Sequence, residues 1–271
     1  MTRRTDHALR VGTESHYRNA RYYDHFYRRR KEDVRFYADL AEEHGGPVLE
    51  LGAGTGRVAL EIARRGVDVL GVDRMPEMLA RAEERRAREP RRVRERVAFR
   101  KGDILRMRLR RRFPLVISPF NVFMHFYERV QVERALRTVR AHLTPRGRFA
   151  FDVLMPDARD LSRNPSKVYK GGTVTDPTDG RKYHYAENFQ YDPVRQVQWI
   201  TMAFQPVDDP DDLSITPLAH RQFFPAELET LLHYNRFEVE ERYGGFDRSR
   251  LTGASESQVV VARPRGRDRR R

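Results

Sequence analysis

The segment Glu50-Leu51-Gly52-Ala53-Gly54-Thr55-Gly56 lies directly between a short apolar run, Val48 to Leu51, and a helical pattern carried by Val58, Leu60, Ile62 and Ala63. Glycines at alternate positions let the backbone turn sharply and let a ligand approach without Cβ clashes. The helix that follows presents free N–H groups, which suit a carboxylate or phosphate. A second apolar run, VDVLGVD, closes on Asp73, 23 residues after Glu50. An acidic residue about 20 residues beyond such a turn accepts ribose hydroxyls. The spacing is G-x-G-x-G rather than the G-x-G-x-x-G of loops that cradle a pyrophosphate. Glu50 would repel a pyrophosphate and attract an ammonium. The pattern describes a nucleoside with a zwitterionic amino-acid tail.

Strand and helix signals alternate around this turn. Tyr17, Tyr23, Phe26, Tyr27, Val34, Tyr37 and Leu40 predict one or two helices over 16–44, ending before Gly45-Gly46-Pro47. A helix follows Asp73, with Pro76 in its first turn and Pro90 at its end. Further strands are expected at Val97 to Lys101, at FPLVISPF and at RFAFDVL, with a helix between the last two that stops near Thr144 to Gly147. Such alternation indicates βαβ units and a parallel sheet. After Pro156 the pattern breaks. Residues 157–181 read as a long loop, followed by three strand-like runs, KYHYAENFQYD, QVQWITMAFQPV and SITPLAHRQFF. A helix, PAELETLLHYN, and two strands, FEVEERY and SQVVVAR, return the chain to the core.

At 271 residues the chain can form one sizeable α/β domain with an insertion. It has no cysteine, which excludes disulfides, thiolate nucleophiles and cysteine-bound zinc; no metal site is expected and a cytoplasmic location is the default. No apolar run approaches a membrane span, and MTRRTDHALR lacks the apolar stretch of a secretory signal. The formal charge of +14 is almost all arginine. Dense arginine suits a polyanion partner; equally, it describes solvated helix faces, since many of these residues stand beside glutamate.

VLELGAGTGRVAL, GVDRMPEML, RKGDILRM and the proline-containing end of the fourth strand resemble the successive motifs of class I S-adenosylmethionine-dependent methyltransferases, of the bacterial small-molecule type. The resemblance covers residues 46–155 and implies a Rossmann-like, doubly wound, mostly parallel seven-stranded sheet. The expected organisation is a helical cap over 1–44, a cofactor-binding core over 45–160, an inserted antiparallel meander over 161–222, completion of the sheet over 223–263 and a disordered basic tail over 264–271. The cofactor implied is S-adenosyl-L-methionine. Gly52, Ala53, Gly54, Gly56 and Arg57 would line its methionine portion, with Glu50 near the amino group, and Asp73 would hold the ribose. Arg74, Met75 and Met78 would flank the adenine, and Gly102, Asp103 and Ile104 would bound its other side. Met75 and Met78 have the spacing of core residues as well. Pro119 or Phe120 would face the methionine and the acceptor.

Methyl transfer from a sulfonium is an in-line displacement, so alignment and exclusion of water matter most. A base is needed only for an acceptor protonated at working pH. His125 is either that base or orienting group, or a satisfied histidine at a helix start. The YYDHFY run resembles a cap in which a tyrosine, Tyr23 here, reaches the cofactor, with Tyr17 a catalytic candidate; a packing helix is the alternative. The aromatic meander would roof the acceptor or form a homodimer contact. A small-molecule oxygen or nitrogen acceptor is the leading expectation, and a nucleic-acid acceptor the alternative. Base-amino methyltransferases resemble one another in two prolines after the fourth strand; Ser118-Pro119-Phe120-Asn121 has one, which disfavours that chemistry.

Overall fold

Alternate residues of the central strands enter two different cores. Leu49, Val116, Phe149 and Phe151 pack into one, while Val48, Leu115, Ile117 and Ala150 pack into the other. That alternation requires a sheet covered on both faces, which near-continuous apolar strands provide. The computed structural model describes residues 3–266.

The chain divides into two units. The larger unit combines Arg30–Met155 with Phe223–Arg271. Its strands are β1 (Val48–Leu51), β2 (Val69–Asp73), β3 (Val97–Lys101), β4 (Phe113–Ser118) and β5 (Leu143–Leu154), joined late in the chain by β10 (Phe237–Tyr243) and β11 (Ser257–Pro264). They form a seven-stranded sheet in the order β10-β11-β5-β4-β1-β2-β3. The pairings among β1 to β5 are parallel, and β11 runs antiparallel to both β5 and β10. This is a Rossmann-like, mostly parallel sheet covered on both faces.

The helices of this unit follow local signals. α3 (Glu32–His44) carries Glu32 and Asp33 in its first turn, complementing the helix dipole. α4 (Arg57–Arg64) starts from Gly56 in the left-handed conformation, and α5 (Pro76–Ala87) from Pro76. A short α6 (Arg91–Arg94) precedes β3. α7 (Arg129–His142) opens with a reciprocal capping box between Glu128 and Gln131. It ends earlier than the sequence suggests: Leu143 already begins β5 and the stretch through Gly147 is strand, the local proline and glycine notwithstanding. α9 (Pro225–Tyr234) leads into β10. α3, expected to belong to a cap, packs instead on α4 in the sheet-containing unit.

The smaller unit combines Met1–Arg29 with Pro156–Gln222. α1 (Arg3–Glu14), a 3-10 turn (Ser15–Tyr17) and α2 (Ala20–Phe26) belong with α8 (Ala158–Leu161) and the antiparallel sheet β6 (Lys170–Thr175), β7 (Lys182–Asp192), β8 (Val197–Pro206) and β9 (Ser214–Arg221). β6 and α8 lie where the sequence suggested a loop. KGGTVT has two glycines and little apolar alternation, so its pairing with β7, not its own composition, makes it a strand. α1 was also not expected. Its buried residues include Leu9, Gly12 and Thr13, a face that sets one large apolar side chain beside two small residues. A Cβ on Gly12 would stand 3.0 Å from that of Ala219 on β9, so only a bare Cα allows so close a contact.

Pro264, assigned from the sequence to a disordered tail, closes β11, and Arg265 N–H donates to the Arg236 carbonyl at 2.8 Å. The remainder of that segment, from residue 267, lies outside the described residues. Among the described residues no helix is long and apolar enough to cross a membrane.

Candidate active site

The turn after β1 is fixed by its neighbour strand. The N–H groups of Gly52 and Ala53 both donate to the Val72 carbonyl, at 2.8 and 3.1 Å. Gly52 and Gly54 have φ of +74° and +54°, which disfavours side chains at both. A Cβ on Gly52 would fall 2.4 Å from Val122 Cγ2, whereas one on Gly54 would meet only Met78 Cε, at 3.3 Å. The first glycine therefore lets two loops pack together, and the second keeps a surface bare.

Asp73 ends β2 and does more than face outward. Its Oδ2 accepts from Gly54 N–H and its Oδ1 from Met75 N–H, both at 2.8 Å. It thus ties the glycine turn to the start of α5. Burial raises its carboxyl above the usual range, while these bonds and Arg74 pull it back. The Asp73 carbonyl accepts from Gly102 N–H at 2.9 Å, which brings the end of β3 alongside. Asp103 there closes its own turn, Oδ1 accepting from Leu105 N–H at 2.9 Å, and Ile104 leans on the core. Met78 is buried and Arg74 exposed.

Glu50 stands on the fully buried strand β1, 2% exposed. Its Oε2 is buried with no hydrogen-bond partner. Burial pushes its carboxyl up to about 8, with the Arg57 charge and the Ala59 N–H opposing. Arg57 does not release its guanidinium to a ligand in this arrangement. Its Nη1 and Nη2 donate to the two oxygens of Asp33 at 2.9 and 2.5 Å, and Nη1 also to the Arg30 carbonyl at 3.0 Å. Asp33 is fully buried, so the pair clamps the N-terminus of α4 to that of α3.

The loop after β4 is held in a rare conformation. Phe120 and Asn121 both have positive φ, 61° and 65°, at a cost of about 1 kcal/mol or more each. Asp152, fully buried on β5, compensates: Oδ1 accepts from Phe120 N–H at 2.8 Å and from Tyr37 O–H at 2.6 Å, and Oδ2 from Asn121 N–H at 3.2 Å. The guanidinium groups of Arg30 and Arg57 lie 4.9 and 5.2 Å from the Phe120 ring centre. Asn121 Oδ1 is buried without a partner. A 3-10 turn, Val122–His125, then carries His125 at its end.

The four loops beyond β4, β1, β2 and β3 thus gather Pro119 and Phe120, Glu50 to Arg57, Asp73 to Met78, and Gly102 to Ile104 along one edge of the sheet, where ligands of open α/β folds bind. Tyr17 and Tyr23 belong to the smaller unit. There His16 meets Tyr17, Tyr23 and Tyr27 edge-on at 5.3–5.8 Å, and its Nε2 lies 3.1 Å from the Tyr27 hydroxyl. Asp33, Tyr37 and Asp152 escaped the sequence reading. The signal was available for Asp152, a carboxylate in the middle of the apolar strand RFAFDVL.

These residues fit a nucleoside with an amino-acid tail: an orphaned buried carboxylate oxygen awaits a donor, and the surface over Gly54 is bare. Residues 48–147 match the methyltransferase-domain family. Among solved structures the chain is similar to the CcbJ methyltransferase from Streptomyces caelestis, with 26% identity, a TM-score of 0.71, and coverage of 87% of this chain and 90% of that one. It also resembles an S-adenosylmethionine-dependent methyltransferase from Clostridium acetobutylicum (17% identity, TM-score 0.70, 90% and 98% covered). A third likeness is to the glycopeptide N-methyltransferase MtfA complexed with S-adenosyl-L-methionine (22%, 0.60, 86% and 93%). Comparison with curated protein sequences gives no significant match.

Proposed function

We propose that the protein methylates a nitrogen or oxygen of a small molecule. The observation that carries this reading is the extent of the likeness to the glycopeptide N-methyltransferase MtfA, which reaches 97% of this chain in another of its crystal structures and so includes antiparallel strands as well as the cofactor core. The arginine surface supports it too. Arg64, Arg65, Arg86, Arg96, Arg148 and Arg263 each pair with a carboxylate, so much of the positive charge is balanced locally rather than offered to a polyanion.

S-adenosylmethionine supplies a methyl group already activated on a sulfonium. The protein binds and orients it. Glu50 would accept from the ammonium with its free Oε2, Gly52, Ala53 and Gly54 would form the floor of the methionine portion, and Asp73 would accept from the ribose through lone pairs its backbone bonds leave open. Met75, Met78, Asp103 and Ile104 bound the adenine. Pro119 and Phe120 stand toward the acceptor, and the ring of Phe120, fixed through Asp152, excludes water from the line of attack. His125 would take or hold the proton the acceptor loses.

Replacing Asp73 with alanine is expected to weaken cofactor binding by about 1.5–3 kcal/mol, since charge-assisted bonds to ribose vanish and the glycine turn is untied. Calorimetric titration reads this, and an unchanged affinity removes Asp73 from the site. For His125→Ala we expect kcat to fall while cofactor affinity holds. Equal losses in both would make His125 structural. The reading as a whole is tested by offering amines, amino sugars, phenols and structured RNA with labelled cofactor. Transfer to a small amine or hydroxyl is expected, and transfer to RNA alone overturns it.

A further inference from the structure

The smaller unit holds a surface cavity of about 150 Å³, which the cofactor chemistry does not use. Three aromatic side chains, Tyr22, Tyr183 and Phe204, line it together with the carboxylate of Asp176. Tyr22 and Phe204 meet edge-on at 5.3 Å. The Tyr22 hydroxyl is buried and has no hydrogen-bond partner. Asp176 receives the Thr178 N–H on Oδ1, at 2.7 Å. Ser15 and Thr216 add hydroxyls to the wall.

The electrostatics are unlike those of the rest of the chain. The formal charge is +14, yet the described residues lining this cavity include no lysine or arginine and do include a carboxylate; Arg181, whose guanidinium lies 5.9 Å from the Tyr183 ring centre, is paired with Asp208 at 2.8 Å. His16 does not offset that carboxylate, because burial lowers its pKa to about 4 and keeps it neutral. The Tyr22 phenol is pushed upward by burial and then by Asp176, Tyr27 and Glu187 nearby. Aromatic faces beside a carboxylate form a site for an organic cation, and a buried phenol without a partner adds a place for a hydroxyl or N–H.

We propose that the cavity formed by Tyr22, Tyr183, Phe204 and Asp176 binds an aliphatic amino alcohol in its ammonium form. This deepens the small-molecule reading above and rests on it only for its meaning, since binding is measured without methyl transfer. A cation held here is not itself the nucleophile, because a protonated or quaternary nitrogen has no lone pair to give. The site would recognise a charged group of the acceptor or of the methylated product.

Choline and its uncharged isostere 3,3-dimethylbutan-1-ol separate charge recognition from simple filling of a hole. In ligand-detected NMR titrations the full-length protein is expected to bind choline saturably and the isostere at least about tenfold more weakly. Asp176→Asn should lower choline affinity by about tenfold, and Tyr22→Phe by a smaller factor, while S-adenosylmethionine affinity measured on the same samples stays unchanged and shows that the fold is intact. Equal binding of the two probes, no saturable choline binding by protein that takes up the cofactor, or wild-type choline affinity in Asp176→Asn each overturn the proposal. Loss of cofactor uptake by the unmodified protein would instead strike the enzymatic reading, so the two failures are distinct.

Discussion

Glu50→Gln is expected to make the unliganded protein more stable at pH 9 and at the same time a poorer binder of its cofactor. Burial holds the folded carboxyl near 8, above its ordinary value of 4.5. The folded state therefore favours the protonated acid. That contribution is complete below about pH 4.5, and it is lost as the pH climbs through the folded value near 8. At pH 9 the native protein carries a buried carboxylate with an unpartnered oxygen. Glutamine has the same shape without the charge, so unfolding free energy should rise by ~1–3 kcal/mol at pH 9 and change little at pH 4. Binding moves the opposite way. An ammonium over Oε2 needs the ionised acid, so wild-type affinity should strengthen from pH 6 to pH 8, and the Glu50-dependent part of that rise should be missing from the variant. Thermal denaturation and calorimetric titration across this range measure both effects. A variant as tightly bound as the wild type at pH 8 would leave Glu50 with no partner in the ligand.

The second large effect is expected at Asp152, which no loop residue can replace. Alanine there strips an acceptor from the Tyr37 hydroxyl and from the Phe120 and Asn121 N–H groups, all inside the protein. Leaving buried donors unsatisfied costs about 1–3 kcal/mol each, and the two left-handed residues lose what holds them there. We expect a loss of ~3–5 kcal/mol in unfolding free energy, measured by denaturant titration. Tyr37→Phe is the milder companion. It removes one of the three bonds and should cost ~1–2 kcal/mol, leaving a folded protein in which kcat drops because Phe120 is less firmly placed. Loss of stability in Tyr37→Phe with kcat untouched would confine Asp152 to a structural part.

The glycine turn and Asp73 were legible as a pair because their spacing reflects one βαβ geometry, and the five parallel strands were legible because apolar runs of that length have few other uses. What escaped notice depends on partners remote in sequence. KGGTVT becomes a strand only because β7 lies beside it, and α1 offers a face of Leu9, Gly12 and Thr13 that makes sense only against a neighbour as close as Ala219. The same holds within the candidate site. Asp73 was read as a ligand for ribose, but its bonds to Gly54 and Met75 depend on how two loops meet. Arg57 looked like a cofactor residue by position, while its fork is taken up by Asp33, 24 residues earlier. Local spacing reports where a ligand would lie. It does not report which neighbours hold the loops in place.

The smaller unit is assembled from two stretches of chain separated by most of the cofactor core. During synthesis α1 leaves the ribosome long before β9, the strand it packs against, has been made. Its thin apolar face must wait in solvent while β1 to β5 emerge and begin to collapse. The heavily charged composition of that helix leaves little apolar surface for another chain to meet while β9 is still missing.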